Sequence, residues 1–231
     1  MKCRGWPLGL ALVMAACGDN EASAPEAGTI LGAPLPAAEV AGPELRVLAF
    51  GDSLFAGYRV GERASYPAQL EAALRGQGRN VRVINAGVSG DTSAAGLQRI
   101  EFVLDSLESP PDLAIVELGG NDLLRGISPA ETRENLRAIL AELQERRIPV
   151  LLMGMRAPPN LGEAFVREFD AIYPDLAGRY GAALVPFFLA PVYDKPALIQ
   201  EDKVHPTAEG IEALVAATVD DVATALPDER D

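Results

Sequence analysis

Five short, almost unbroken apolar runs alternate along this chain with segments of helical periodicity, and that alternation limits the fold more than any other feature. The runs span residues 45–50, 81–86, 113–118, 150–155 and 182–188. Strands that are apolar on both faces must be covered on both faces, and connections of helical length between them make the pairing parallel. The intervening segments read as helices over 67–75, 93–107, 129–146, 163–179 and 207–226, with Ser128 as an N-cap and Pro206 at the first turn of the last. The expectation is an α/β fold: three layers, α/β/α, around a five-stranded parallel sheet in the flavodoxin-like order 2-1-3-4-5. Ligands of such sheets bind beyond the carboxyl ends of the strands, at the switch point between strands 1 and 3. The loops after strands 1, 2 and 3 are therefore where chemistry belongs.

The N-terminal region lacks this pattern. Lys2 and Arg4 precede an apolar stretch over 6–16 that is too short for a comfortable permanent span, and the layout matches an export signal. It ends Val13-Met14-Ala15-Ala16-Cys17. Small residues before a cysteine resemble the bacterial lipobox, in which the cysteine is lipidated and becomes the new N-terminus; an ordinary cleaved signal with a chance cysteine is the alternative. The expected organisation is a lipoprotein signal peptide over 1–16, a flexible Ala-, Gly-, Pro- and Glu-rich tether over 17–43 from lipidated Cys17, and a folded domain over 44–231. The protein would then be exported and held by its N-terminal lipid to the bacterial cell envelope, facing the periplasm.

A formal net charge of −13 repels a phosphate backbone, so nucleic acid is not expected as a partner. The two cysteines, Cys3 and Cys17, both precede the domain, which therefore has no disulfide. One histidine and no domain cysteine leave no metal site of the Cys/His type, and no cofactor is expected.

Strand 1 is followed by Gly51-Asp52-Ser53-Leu54, strand 2 by a loop ending Ser89-Gly90-Asp91-Thr92-Ser93, and strand 3 by Gly119-Gly120-Asn121-Asp122. A fourth segment, Asp202-Lys203-Val204-His205-Pro206, precedes the last helix and must return over the sheet from strand 5. Crossing about three strand spacings takes roughly 15 Å, well within reach of the loop over 189–205. A lone histidine is more often a surface or core residue than a catalyst. Here, however, Asp202 lies three residues earlier and can hold one ring nitrogen, Pro206 disfavours helical backbone at His205, and no other histidine exists. Ser53, taken alone, suits a helix N-cap as well as a nucleophile; a serine hydroxyl needs a neighbouring base to attack. Attack on a carbonyl creates an oxyanion, and three donors face the right edge: the N–H of Ser53, the N–H of Gly90 and the side-chain amide of Asn121. Gly90 and Asn121 are each also readable as ordinary turn residues.

Taken together, Ser53, Gly90, Asn121 and His205, in this order and context, resemble the four blocks of the SGNH or GDSL hydrolase superfamily. The similarity runs over about 45–226. Within the superfamily, Ser89-Gly-Asp-Thr-Ser93, Glu117-Leu-Gly-Gly-Asn-Asp122 and Ala171-Ile-Tyr-Pro174 look most like the bacterial multifunctional thioesterase I / lysophospholipase / arylesterase group. The resemblance implies metal-free hydrolysis of small acyl esters or thioesters through an acyl-enzyme. Its implied roles are Ser53 as nucleophile, His205 as base, Asp202 as orienting acid, and Ser53, Gly90 and Asn121 as oxyanion donors. Asp52, read from the sequence, is by default a solvated turn acid, with a part in shaping the nucleophile turn as the alternative. Leu123, Leu124, Arg125 and Pro158, the last within the 157–161 segment, are candidates to line an acyl cleft. Two rivals stand beside this expectation: a carbohydrate O-deacetylase of the same fold, and an anchored binding module with an inactive site.

Overall fold

The computed structural model describes residues 40–227. The export signal over 1–16, Cys17, and the tether as far as residue 39 lie outside the described residues. Strands β1 (Leu45–Gly51), β2 (Val81–Gly87), β3 (Leu113–Glu117), β4 (Val150–Met153) and β5 (Ala183–Val185) form one parallel sheet in the order β2-β1-β3-β4-β5. This is the expected flavodoxin-like order. Every residue of the central β3 is buried, whereas the edge strand β2 exposes Arg82 and Asn85. Apolar residues on both faces of β1, β3 and β4 are what two covering helix layers require.

Among the described residues eight α-helices flank or terminate the strands: α1 (Ser53–Ala56), α2 (Tyr66–Gly76), α3 (Ser93–Asp105), α4 (Gly120–Leu124), α5 (Pro129–Glu145), α6 (Glu163–Asp170), α7 (Ile172–Tyr180) and α8 (Ala208–Ala225). The β1–β2 connection runs one way across the sheet and the later ones run the other way. Right-handed crossovers therefore put α2 on one face and α3 and α5 on the other. Helix α8 comes back beside α2, where the Tyr66 hydroxyl and Thr218 Oγ1 meet at 2.7 Å in the core. Among the described residues no helix is long and apolar enough to cross a membrane.

Several elements differ from the sequence reading: the fourth strand ends at Met153 rather than 155, and three others differ for a backbone reason. The helix expected over 163–179 breaks at Ala171 because Pro174 has no N–H to give the Asp170 carbonyl. The fifth strand stops at Val185 rather than 188, because Pro186 cannot continue the ladder; Phe188 N instead donates to Gly154 O at 2.8 Å. Pro206 lies before the last helix rather than in its first turn: Thr207 is the N-cap, accepting from Gly210 N at 3.1 Å, and Pro206 bridges Ile199. The single-turn helices α1 and α4, read from sequence as loops, carry Ser53 and Asn121 at their starts.

Candidate active site

Helix α1 begins where β1 ends. Asp52 caps it, with Oδ1 accepting the Leu54 N–H at 3.0 Å, so Ser53 is its first residue. The turn is anchored from below by Phe55, stacked on Tyr66 at 5.1 Å and edge-on to Phe188 at 5.8 Å, all three fully buried. A four-residue helix has little stability of its own; this aromatic cluster holds it in place. As a first-turn residue, Ser53 keeps a backbone N–H that the helix cannot satisfy.

The loop over 189–205 crosses to this point as expected. His205 Nε2 lies 2.9 Å from Ser53 Oγ, and His205 Nδ1 lies 2.9 Å from Asp202 Oδ2. Asp202 Oδ1 also accepts the backbone N–H groups of Val204 and His205, each at 3.0 Å. Partial burial alone would raise the Asp202 carboxyl, but those two N–H groups and the imidazole outweigh it and hold it down at about 2. It is therefore ionised at any pH above about 4, and accepts from Nδ1–H. That tautomer leaves Nε2 as an acceptor for the serine proton.

Two residues to which sequence analysis assigned no role complete the histidine's setting. The Tyr58 ring lies over the imidazole, centroids 4.3 Å apart. Gln200 Nε2 donates to Tyr58 O at 3.1 Å and to Pro206 O at 2.8 Å, joining the histidine loop to the loop after α1. Lys203, between Asp202 and His205, has φ 61°, strained backbone of a kind that collects at working sites.

The oxyanion candidates converge on the same edge. Asn121 Nδ2 gives one hydrogen to Asp52 Oδ2 at 2.8 Å, and the amide's second hydrogen remains available. The Gly90 N–H donates to no protein acceptor among the described residues. Gly90 has φ 88°, a left-handed conformation that suits glycine. Its loop is tied at several points: Val88 N donates to Gly51 O at 3.0 Å, Arg99 Nη2 to Gly51 O at 2.9 Å, and Arg99 Nε to Asp91 at 2.6 Å. Buried Asp122 accepts from Ser93 N at 2.8 Å, from the Ser93 hydroxyl, and from Thr132 Oγ1 at 3.0 Å. One carboxylate thus fixes the α3 start against α4 and α5. The sequence signal for Asp122 was its place beside Asn121, which marks the block but not this role.

A cleft of about 820 Å³ opens beside Ser53. Leu123, Leu124 and Pro158 line it together with Met155, Leu161 and Val166, giving a mostly apolar wall. Arg125, the fourth candidate, is not part of that lining; its guanidinium donates to Gly90 O at 2.7 Å and braces the Gly90 loop.

Beneath the turn lie two buried acids; Asp52 is not the solvated turn acid that is the default from sequence, because its carboxylate is turned inward to cap α1 and accept from Asn121. Burial pushes the Asp52 carboxyl up; the Leu54 N–H, the Glu117 carboxyl and the Asn121 amide pull it part of the way back. Glu117 is driven much further up, by burial first and by the Asp52 charge second.

A sequence profile of the GDSL-like Lipase/Acylhydrolase family matches residues 49–213. The chain is 42% identical over 163 residues to "Thioesterase 1/protease 1/lysophospholipase L1" of Escherichia coli (strain K12), a match covering 71% of this chain and 76% of that protein. It is 41% identical over 175 residues to the "Arylesterase" of Vibrio mimicus, covering 76% and 86%. Among solved structures it is similar to AlinE4, a SGNH-hydrolase family esterase, at 68% identity and TM-score 0.69 over 81% of this chain and 100% of that one. It is also similar to TesA, at 35% identity and TM-score 0.73 over 78% and 99%. Fold and relatives together define a carboxylic ester hydrolase. The chain belongs to the GDSL-like lipase/acylhydrolase family, the SGNH hydrolases.

Proposed function

We propose that this protein cleaves acyl esters or thioesters with Ser53 as nucleophile, His205 as general base and acid, and Asp202 as the orienting carboxylate. The observation that carries the reading is the 2.9 Å contact between Ser53 Oγ and His205 Nε2, with Asp202 on the other ring nitrogen. His205 takes the Ser53 proton as Oγ bonds to the acyl carbon. The carbonyl oxygen becomes an oxyanion held by Ser53 N–H, Gly90 N–H and the second hydrogen of Asn121. The imidazolium, stabilised by Asp202, returns its proton to the leaving alcohol or thiol as that bond breaks. Water then attacks the acyl-enzyme by the same route, and Ser53 regains its proton.

The apolar wall of Leu123, Leu161 and Val166 supports an acyl chain rather than a sugar as the group beside Ser53, and counts against the O-deacetylase alternative. Hydrolysis of aryl ester, lysophospholipid and acyl-CoA, measured side by side, ranks the three substrate types, and total inactivity would leave the binding-module alternative standing. Asn121→Ala is expected to lower kcat by on the order of 100- to 1000-fold while KM changes little, because its second hydrogen meets charge that exists only in the transition state. An unchanged kcat in that variant would remove Asn121 from the oxyanion site.

Cell-envelope attachment through Cys17 belongs to the same proposal and rests on the sequence of residues 1–17. Radiolabelled palmitate fed to cells expressing the full chain should enter the protein and be absent from Cys17→Ser; label retained in that variant contradicts the anchor.

A further inference from the structure

Glu117 ends β3 and pairs in register with Gly51, so its carboxyl reaches under the turn that carries Ser53. A Cβ on Gly51 would stand 2.9 Å from Glu117 Oε2, and the Asp52 N–H donates to that same oxygen at 3.3 Å. The residue is fully buried, and its Oε1 meets no donor among the described residues. An ionised carboxylate so placed would carry an uncompensated charge in the core. A neutral carboxylic acid would not, since its own O–H can donate; Glu117 Oε2 already lies against the Asp52 N–H, and the carboxylate of that same residue is the acceptor whose charge bears on it. Asp52, in turn, spends its oxygens on Leu54 N at 3.0 Å and Asn121 Nδ2 at 2.8 Å. A continuous chain of contacts therefore runs from Glu117 through Asp52 to the amide assigned to the oxyanion.

We propose that Glu117 is held as a neutral carboxylic acid whose O–H positions the Asp52 carboxylate and, through it, aims the Asn121 amide before substrate arrives. Glu117 touches no reacting atom; it is a positioning residue for the hydrolysis proposed above, and its effect on rate rests on that reading. The surroundings favour the neutral form. Asp52, from the α1 cap, is the acid whose charge bears on Glu117, while Asp122 from α4 and Asp170 at the end of α6 join both of them in acting on the buried Tyr173. The nearby cation Arg99 is already engaged by Asp91 at 2.6 Å and by Gly51 O. His205 acts on Asp52 rather than on Glu117. Burial and the Asp52 charge both oppose loss of the Glu117 proton.

The test compares Glu117→Gln with Glu117→Leu. Glutamine keeps the shape and a donor, so kcat should stay within about threefold of wild type, whereas leucine removes the donor and should lower kcat by about 10- to 100-fold with KM unchanged. Rescue by glutamine and a loss confined to kcat separate positioning from a loss of fold. A Glu117→Leu enzyme that turns over like wild type overturns the proposal. So does a Glu117→Gln enzyme as impaired as Glu117→Leu, since that would mean the ionised carboxylate was needed. A second readout uses no substrate and stands apart from the esterase reading. The infrared spectrum of the wild-type protein at neutral pH should show the carbonyl stretch of a buried protonated carboxylic acid, missing from Glu117→Gln. Its absence from wild type overturns the proposal even if the leucine variant fails to fold.

Discussion

Ser53→Ala is expected to lower kcat toward p-nitrophenyl butyrate by on the order of 10⁵- to 10⁶-fold, the loss typical of removing the nucleophile from a serine hydrolase. The change should leave the fold alone. The α1 turn is held by Asp52 Oδ1 accepting the Leu54 N–H and by Phe55 against Tyr66 and Phe188, to which the hydroxyl adds only a long 3.4 Å contact with Asp52 Oδ1. What the variant keeps is the set of oxyanion donors and the cleft, so a residual acceleration of roughly 10³-fold over water should remain. Activity within about tenfold of wild type would identify another nucleophile, since contamination and donors alone do not account for so much.

His205→Ala should be nearly as damaging, on the order of 10⁵-fold, and the Ser53→Ala/His205→Ala double variant should be no slower than either single one. In the proposed mechanism the two side chains act as one unit: Oγ without Nε2 keeps its proton, and Nε2 without Oγ has nothing to activate. Multiplying losses in the double variant would contradict that coupling. Asp202 makes an informative contrast. Its side chain is 25% exposed, against 17% for His205, so solvent screens its attraction to the imidazolium. The ring also rests on Tyr58, and its loop is stapled by Gln200. Asp202→Asn should therefore cost less than about 100-fold, well short of the roughly 10⁴-fold that a buried triad aspartate commands.

Much of this site was legible in the sequence because a parallel sheet sorts its loops. Once the apolar runs fixed five strands, Ser53, Gly90 and Asn121 had to share one edge, and a single histidine left one choice of base. Helix and strand interiors followed hydrophobic periodicity for the same reason. Ends did not, because they depend on individual backbone groups: Pro174 splitting α6 from α7 and Pro186 stopping β5 were visible residues whose consequences a periodic pattern outweighed. Single-turn helices such as α1 and α4 are too short to show a period. The contacts that hold the site rigid were harder still. Tyr58 and Gln200 meet His205 only through the return of a long loop, and Arg125 looked like a cleft residue until its bond to Gly90 O placed it elsewhere. Glu117 carried a signal that periodicity discounts: it is the one acid in the run Leu113–Glu117, and a lone acid in a buried strand needs a chemical reason.

In the mechanism proposed above, the Ser53 hydroxyl, activated by His205, forms a covalent bond to the acyl group. The most direct test of that step is intact-mass and peptide mass spectrometry after treatment with a fluorophosphonate, which reports the activated serine without any assumption about substrate. A single adduct on the peptide containing Ser53, greatly slowed in His205→Ala, is the predicted result. An adduct on a different residue, or labelling of Ser53 at the same rate without the imidazole, would contradict it.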